Sequence, residues 1–257
     1  GLGREHAKLL AKQGAKVVVN DLGGSVTGAG ASTAAAAQVV AEIEAAGGEA
    51  IASGASVTDF AQVQEMVAAA MERWGRVDIL VNNAGILRDK TFAKMEFSDF
   101  RDVMDVHLMG AVHCTKAVWE IMRQQSYGRI AMTTSSSGLF GNFGQSNYGA
   151  AKMALVGLMQ TLSLEGEKYG IRVNCLAPTA ATRMMEGLRS EEALAALAPQ
   201  AVSPGVLALV AQDAPTRTIL CAGAGSFEQA HLTLTHGIHV GQVDDAAERI
   251  SASWEQL

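Results

Sequence analysis

The stretch GRIAMTTSSSGLFGNFGQSNYGAAKMALVGLM, residues 128–159, decides the fold. Its first six residues have the pattern of a buried strand, and residues 147–159 have the small and apolar composition of a buried helix. A polar loop rich in Ser, Thr and Gly joins the two. A strand, a loop and a helix in this order place the loop at the carboxyl edge of a sheet, where open α/β folds bind ligands.

Three polar side chains in this stretch predict a site for alcohol oxidation. Tyr148 and Lys152 are four residues apart and share one helical face. A neighbouring ammonium group favours the phenolate, so we expect Lys152 to lower the tyrosine pKa from its usual ~10. Ser135, thirteen residues before Tyr148, is selected by this spacing from a turn full of hydroxyl residues. The pattern predicts a general base, its electrostatic tuner and a substrate anchor.

Outward from this stretch, strands and helices alternate along the chain. Strands are predicted at 16–21, 50–53, 77–82, 129–134, 172–176 and 219–221, and helices at 4–13, 33–46, 60–74, 98–124 and 147–168. Largely apolar strands that alternate with helices predict a Rossmann-type, doubly wound parallel sheet in the α/β class. We expect a single NAD-binding domain over residues 1–257, with a substrate lid at 179–202 and a C-terminal extension at 226–257.

The first residues predict one end of a dinucleotide site. Gly1-Leu2-Gly3 runs directly into a helix and looks like the last two glycines of a phosphate-binding loop, with the first strand missing from the given chain. We expect about twenty further residues upstream, because a sheet without this central strand exposes two strand edges in its middle. Asp21 follows the next strand and can accept hydrogen bonds from ribose hydroxyls while repelling a 2′-phosphate. This favours NAD over NADP, although Asp21 can instead cap the turn before Leu22.

A second cofactor segment follows the strand at 77–82. In Asn82-Asn83-Ala84-Gly85, we expect asparagine side chains to tie neighbouring strands together and the small residues to leave room for adenosine. Taken alone, the segment is also compatible with an ordinary turn. Its position at the same sheet edge as Asp21 favours the cofactor role.

Composition excludes several classes of function. The 257 residues carry a net charge of −6, with 49% hydrophobic and 18% charged residues, which is typical of a globular chain and not of a general nucleic-acid binder. The three cysteines show neither metal-ligand spacing nor a disulfide framework. No apolar run is long enough to span a bilayer. We therefore expect a cytoplasmic protein without a metal site.

Together, the Gly-x-Gly start, Asp21, the Asn-Asn-Ala-Gly segment, Ser135 and Tyr148-x-x-x-Lys152 resemble the classical short-chain dehydrogenase/reductase family. The resemblance implies that Tyr148 is the catalytic acid/base, that Lys152 also binds the nicotinamide ribose and that Ser135 orients the substrate. It extends over nearly the whole chain. The cofactor-binding positions that it implies are Gly1, Leu2, Gly3, Asp21, Ser56, Asn83, Ala84, Gly85, Tyr148, Lys152, Pro178, Ala180 and Thr182.

More specific stretches resemble the (3R)-hydroxyacyl-CoA dehydrogenase domains of peroxisomal multifunctional enzymes type 2, also called 17β-hydroxysteroid dehydrogenases type 4. These stretches are the glycine-rich loop after Asp21 and Gly141-Asn-Phe-Gly144 before the tyrosine. The resemblance implies NAD-dependent oxidation of a 3-hydroxyacyl-CoA or a 17β-hydroxysteroid. His107 stands where many family members have asparagine, and either supports a proton relay or is a packed helix histidine. Ser56 stands near the place of an adenine-contacting aspartate.

The remaining expectations concern substrate, partners and a rival function. Apolar residues of the lid suit an acyl chain or a steroid, although they suit a core helix equally well; they are Met184, Met185, Leu188, Leu194 and Leu197. Helices 98–124 and 147–168 are apolar on more faces than two layers use, which predicts a homodimer or homotetramer. The extension 226–257 is expected to cover the substrate site or a second subunit. The alternatives are a nucleotide-sensing regulator on the same scaffold, or a dehydrogenase for another small alcohol.

Overall fold

The computed structural model describes residues 1–28, 30, 32–180 and 197–257 of the chain. The strands in these residues are β1 (Lys16–Asn20), β2 (Glu49–Ser53), β3 (Ile79–Asn82), β4 (Gly128–Thr133), β5 (Ile171–Thr179), β6 (Ile219–Gly223) and β7 (Ser226–Ala230). They form two sheets, one with the order β1-β2 and one with the order β3-β4-β5-β6-β7. All neighbouring strands are parallel except β7, which runs antiparallel to β6.

Helices connect the strands and cover the sheets. They are α1 (Leu2–Lys12), α2 (Ala34–Ala45), α3 (Phe60–Trp74), α4 (Phe97–Met104), α5 (Gly110–Gln125), α6 (Ser136–Phe140), α7 (Ser146–Gly166), α8 (Ser203–Val210) and α9 (Ala246–Ser251). A π-helical turn, Asp105–Met109, joins α4 to α5. Short 3₁₀ turns lie at Phe92–Lys94, Glu167–Tyr169 and Pro199–Ala201. The predicted α/β class is confirmed, with element ends that differ from the predictions by a few residues.

The two sheets are separate, because β1 and β3 are not hydrogen-bonded to each other. A cavity of about 1610 Å³ is lined by residues of both β1 and β3, the strands that border the two sheets on this side. This volume exceeds the roughly 300–1,000 Å³ of an ordinary ligand pocket. The excess has a structural reason, since one continuous space includes the groove between the sheets and the carboxyl ends of their strands.

Local sequence signals fix the elements that frame this cavity. Asp59 caps α3, since its carboxylate accepts hydrogen bonds from the backbone N–H groups of Ala61 and Gln62. Gly75 ends the helix in the left-handed conformation that favours glycine. The largest core packs α5 and α7 against β4 and β5, and its fully buried side chains include Met122, Ile130, Leu155, Met159 and Val173.

Several features differ from the sequence-based predictions, and helices α8 and α9 lie where no helix is predicted. The predicted helix 98–124 contains the π-helical turn, and the predicted polar loop after β4 contains the short helix α6. Residues 226–230, predicted as part of a C-terminal extension, pair with β6 as the last strand of the sheet. Most of the predicted lid, including Met184, Met185, Leu188 and Leu194, lies outside the described residues. No helix in the described part of the chain is both long and apolar enough to cross a bilayer.

Candidate active site

The predicted site residues lie around one cavity. Of the positions named from the sequence, all that the structure describes line it: Gly1, Leu2, Gly3, Asp21, Ser56, Asn83, Ala84, Gly85, His107, Ser135, Tyr148, Lys152, Pro178 and Ala180. Thr182 lies outside the described residues. The cavity runs from the start of α1, past the ends of β1 and β3, to Tyr148 on α7. It therefore has room for a dinucleotide at one end and a second reactant at the other.

Two helix starts position the hydroxyl groups of the site. Ser135 is the residue before α6, and its hydroxyl accepts a hydrogen bond from the Ser137 N–H at 3.1 Å. Tyr148 lies in the first turn of α7, where the nearby Ser135 hydroxyl favours its ionised form and lowers its pKa. The extended strand end and the helix start thus bring together two residues thirteen positions apart.

Lys152 lies one turn after Tyr148 and is buried. Its ammonium group donates to the Thr133 carbonyl at 2.5 Å and lies 5.4 Å from the centre of the Tyr148 ring. Burial lowers the pKa of Lys152 from 10.5 to about 7. The side chain is therefore close to the phenol but is held by a backbone carbonyl at the end of β4.

The expected effect on the tyrosine is corrected by the structure. The pKa of Tyr148 is raised, first because burial disfavours the phenolate, and also because of the negative charge of Asp89. The Ser135 hydroxyl opposes this increase in the pKa. The sequence correctly placed a lysine one turn away, but it did not reveal that Tyr148 is half-buried. In the protein alone, desolvation outweighs the favourable neighbours.

His107 reaches the same corner from the π-helical turn. Its ring meets the Tyr148 ring edge-on, with 5.1 Å between the ring centres and an angle of 88°. Its Nε2 lies 2.8 Å from the Ile86 carbonyl oxygen and 3.1 Å from the Ile86 backbone nitrogen. Burial, followed by the charge of Lys152, lowers its pKa to about 3. The imidazole is therefore neutral near pH 7.

The far end of the cavity has features that fit an adenosine ribose and a pyrophosphate. Gly3 lies against Asn83, since a Cβ atom at Gly3 would be 3.0 Å from the Asn83 amide nitrogen, so only glycine packs freely there. Asp21 Oδ1 accepts the Gly23 N–H at 2.6 Å. Asp21 therefore does cap the turn, as the alternative held, and its exposed carboxylate also faces the cavity.

The glycine-rich loop after Asp21 forms a wall of the cavity that the sequence did not predict in detail. Leu87 donates its backbone N–H to the Val26 carbonyl at 3.0 Å, and Gly28 lies against Ile86. These contacts join the loop to the segment after β3. The only signal in the sequence was the unusual length of the loop.

Asn82 has a different hydrogen-bond partner from the neighbouring strand that the sequence predicts. Asn82 donates to the Thr115 hydroxyl of α5 at 3.2 Å, so it ties the strand to a helix and not to a neighbouring strand. On the segment after β3, Arg88 and Lys90 form ion pairs with Asp99 at 3.4 and 2.8 Å.

Asn147 is a site residue that the sequence reasoning missed. Its side chain is completely buried, donates to the carbonyls of Arg88 and Asp99, and accepts the Tyr148 N–H at 2.7 Å. It therefore fixes the start of α7 to the segment after β3. Its position next to Tyr148 was the available signal. In the described residues, no group of His, Cys, Asp or Glu side chains is arranged to hold a metal ion.

Comparison with known proteins agrees with this geometry. The family model described as short chain dehydrogenase matches residues 1–193. A protein of Mycobacterium tuberculosis named as a short-chain type dehydrogenase/reductase is 45% identical over 258 aligned positions, which cover 100% of this chain and 90% of that protein. Peroxisomal multifunctional enzyme type 2 of Drosophila melanogaster is 53% identical over 206 residues, covering 80% of this chain and 34% of the enzyme.

Solved structures resemble the whole chain. The full-length structure of the Drosophila enzyme superposes with a TM-score of 0.81 and 38% identity, covering 100% of this chain and 43% of that one. A 7α-hydroxysteroid dehydrogenase, solved with NADH and 7-oxo glycochenodeoxycholic acid, superposes with a TM-score of 0.77 and 29% identity over 88% of this chain and 89% of that one. The chain thus spans about a third of the Drosophila enzyme by sequence.

Proposed function

Because the chain belongs to the short chain dehydrogenase family, and is therefore an oxidoreductase, we propose that it uses NAD to interconvert a secondary alcohol and a ketone. One observation carries the proposal: Ser135, Tyr148 and Lys152 line the same cavity as Asp21 and the glycines at the start of α1. A candidate base for the alcohol and a candidate carboxylate for the ribose thus line the same continuous cavity.

The chemistry of the residues follows from their contacts. When bound, NAD supplies the hydride acceptor. Ser135 and Tyr148 hold the substrate hydroxyl, and the tyrosine oxygen takes its proton as the carbon–oxygen bond becomes a carbonyl. Because the pKa of Tyr148 is raised and that of Lys152 is lowered to about 7, the protein alone favours a neutral phenol beside the amine. Transfer of one proton from phenol to amine would give a phenolate beside an ammonium without a change in total charge, and bound cofactor and substrate must stabilise that pair. Lys152 acts in this way as the proton partner of the base.

NAD is favoured over NADP by the charge at the ribose end. Asp21 is exposed at this end, and its negative charge repels a 2′-phosphate. We expect kcat/KM with NAD to exceed that with NADP by at least about tenfold, which corresponds to roughly 1.4 kcal/mol. Replacing Asp21 by serine is expected to reduce this ratio, whereas an equal preference in the unmodified protein would contradict the assignment.

We propose a 3-hydroxyacyl-CoA or a 17β-hydroxysteroid as the substrate. Phe140 and Phe143 lie on the loop between Ser135 and Tyr148 and are largely exposed, as are Phe92 and Phe97 on the adjoining segment. Lys90 joins the two segments by donating its backbone N–H to the carbonyl of Gly144. Phe140 and Phe143 are close in sequence to Ser137 and Asn142, which line the cavity, and an exposed aromatic surface there suits a large apolar substrate. The names of the multifunctional and hydroxysteroid relatives support the same classes.

Initial-rate measurements test the function directly. NADH formation is followed with a 3-hydroxyacyl-CoA, estradiol, testosterone and a small polyol, each over a range of concentrations. We expect one of the first two classes to exceed the polyol strongly in kcat/KM. A preference for the polyol would overturn the substrate proposal. Absence of turnover across the panel, with NAD binding retained, would favour the nucleotide-sensing alternative.

The proposed partners are copies of the same chain. Leu164 on α7 and Met109 in the π-helical turn are exposed apolar side chains on the elements predicted to form a helix-bundle interface. We expect Leu164→Arg to lower the molar mass measured by light scattering, whereas an unchanged oligomer would exclude this face. We retain a cytoplasmic location as part of the proposal, and fractionation of source cells checks it.

A further inference from the structure

The π-helical turn between α4 and α5 gives His107 its place in the cavity. Gly110 donates its N–H to the Asp105 carbonyl, five residues back, so this turn holds one more residue than an α-helical turn. Such turns are frequent at functional sites because they redirect a side chain without ending the helix. Here the imidazole is only 3% exposed, whereas Asp105 and Met109 on the same turn face outward.

The His107 ring occupies space that Gly85 leaves free. A Cβ atom built on Gly85 would lie 2.4 Å from His107 Cε1 and 3.1–3.2 Å from both ring nitrogens, which is closer than such atoms approach in proteins. The φ angle of Gly85 lies outside the left-handed region, so space and not backbone conformation excludes a side chain there. The ring therefore fits over Gly85 on one side and against the edge of Tyr148 on another.

We propose that His107 is a positioning residue that sets the distance between the Gly85–Ile86 segment and Tyr148 through a size-complementary contact with Gly85. This inference rests on the proposed function, because the two parts that His107 joins are the candidate cofactor wall and the candidate base. Without the ring, the end of β3 and the start of α7 lose the side chain that lies between them.

The hydrogen bonds of His107 argue against its other proposed role, proton transfer. In one tautomer Nε2–H donates to the Ile86 carbonyl, and in the other Nε2 accepts the Ile86 N–H. The Ile86 backbone amide does not pass a proton onward, so a proton relay cannot continue through Nε2. Burial, followed by the charge of Lys152, also keeps the imidazole neutral.

A double-mutant cycle tests the size-complementary pair. The variants are Gly85→Ala, His107→Ala and the two combined, compared by urea unfolding and by kcat/KM. We expect Gly85→Ala to lower kcat/KM by about tenfold or more in the presence of His107, but by less than about threefold when His107 is alanine. The unfolded-chain effect of a Gly-to-Ala change is the same in both backgrounds and cancels in the cycle.

The opposite result would overturn the inference. If Gly85→Ala were equally harmful with and without His107, its effect would arise from another neighbour, such as bound cofactor. Urea unfolding detects coupling without turnover, so it tests this contact even if the proposed reaction is wrong. NADH formation by the unmodified protein tests the reaction alone.

The pH profile separates positioning from proton transfer. For His107→Ala and His107→Asn we expect kcat to fall more than the KM for NAD changes, with asparagine retaining more activity because its amide can still bind the Ile86 backbone. The apparent pKa values of the kcat/KM profile should stay in place, and added imidazole should not restore activity. A displaced limb of the profile, or rescue by imidazole, would make His107 a proton carrier and refute the proposal.

Discussion

The corner around Tyr148 buries polar side chains. The segment 231–257, which we call the C-terminal arm, instead exposes large apolar side chains. In the corner, Lys152, Asn147 and His107 are buried, with exposures of 3%, 0% and 3%. In the arm, Leu234 is 100% exposed and Trp254 is 70% exposed. In most proteins apolar side chains are buried and charged side chains are exposed, so both regions depart from the usual pattern.

The two departures have different physical meanings. A buried amine or imidazole loses hydration, and the site compensates with backbone hydrogen bonds such as that from Lys152 to Thr133. Among the described residues, no hydrogen bond or ion pair joins 231–257 to 1–230. Unusual burial therefore indicates chemistry within the chain, whereas unusual exposure indicates contact with another molecule.

Tyr148→Phe tests the corner with the largest expected effect. Removal of the hydroxyl deletes the group that exchanges a proton, so kcat should fall by about 10³-fold or more, while the NAD dissociation constant stays within about threefold. Tyr169→Phe is the matched control, since Tyr169 binds Arg123 away from the cavity. Stopped-flow NADH formation and fluorescence titration provide the two values. Near-normal turnover by the Tyr148 variant would remove the base from the mechanism.

Asn147→Ala tests whether hydrogen bonds in the corner stabilise the fold as well as the site. The substitution leaves the carbonyls of Arg88 and Asp99 without this donor and the Tyr148 N–H without its acceptor. We expect the free energy of unfolding to fall by about 2–4 kcal/mol. Exposed Asn142 on the same loop supplies the control, and Asn142→Ala should change it by less than about 0.5 kcal/mol. Equal effects in urea unfolding would contradict the assigned network.

Lys152→Met is expected to change the free energy of unfolding and the activity in opposite directions. The pKa of Lys152 is about 7 in the fold and 10.5 as the ordinary value, so the unfolded chain binds more protons between these limits. Stability from this group therefore rises with pH from about 7 to 10.5, and the cost of burying the charge is greatest below pH 7. Methionine removes that cost but also the Thr133 hydrogen bond.

We expect Lys152→Met to raise the free energy of unfolding by about 1–3 kcal/mol at pH 6, with a smaller gain at pH 9, while activity is lost. Urea unfolding at both pH values measures the difference. Exposed Lys116→Met should show neither the gain nor its pH dependence. A destabilised Lys152 variant at pH 6 would mean that the hydrogen bond to Thr133 outweighs desolvation, and the corner would then stabilise the fold.

The same contrast explains what the sequence could predict. The spacing of Tyr148 and Lys152 fixes their common helical face, and Asp59 and Gly75 mark the ends of α3 where the structure has them. The direction of the Tyr148 pKa depends on burial by residues distant in sequence, so local spacing gave the wrong sign. The π-helical turn at 105–109 adds one residue to a helix whose apolar pattern continues. In the arm, apolar residues do not recur every 2 or every 3.6 residues, so the sequence does not predict its secondary structure.

Leu234→Ser tests the arm and has the smallest expected effect. A side chain that is fully exposed in the single chain loses no burial on substitution, so the free energy of unfolding of the dissociated chain should change by less than about 0.5 kcal/mol. Leu209→Ser is the control, because Leu209 is 2% exposed and its replacement should cost at least about 2 kcal/mol.

Measurements at different protein concentrations distinguish an arm that contacts a second copy of the chain from an arm that packs on its own chain. If the arm contacts a second copy of the chain, Leu234→Ser and Trp254→Ser weaken self-association in sedimentation experiments at micromolar protein while unfolding of the dissociated chain stays unchanged. A loss of about 2 kcal/mol at a concentration where the chain is monomeric would mean that the arm packs on its own body. The contrast with the corner would then fail, because the arm would belong to the same folded unit as Tyr148.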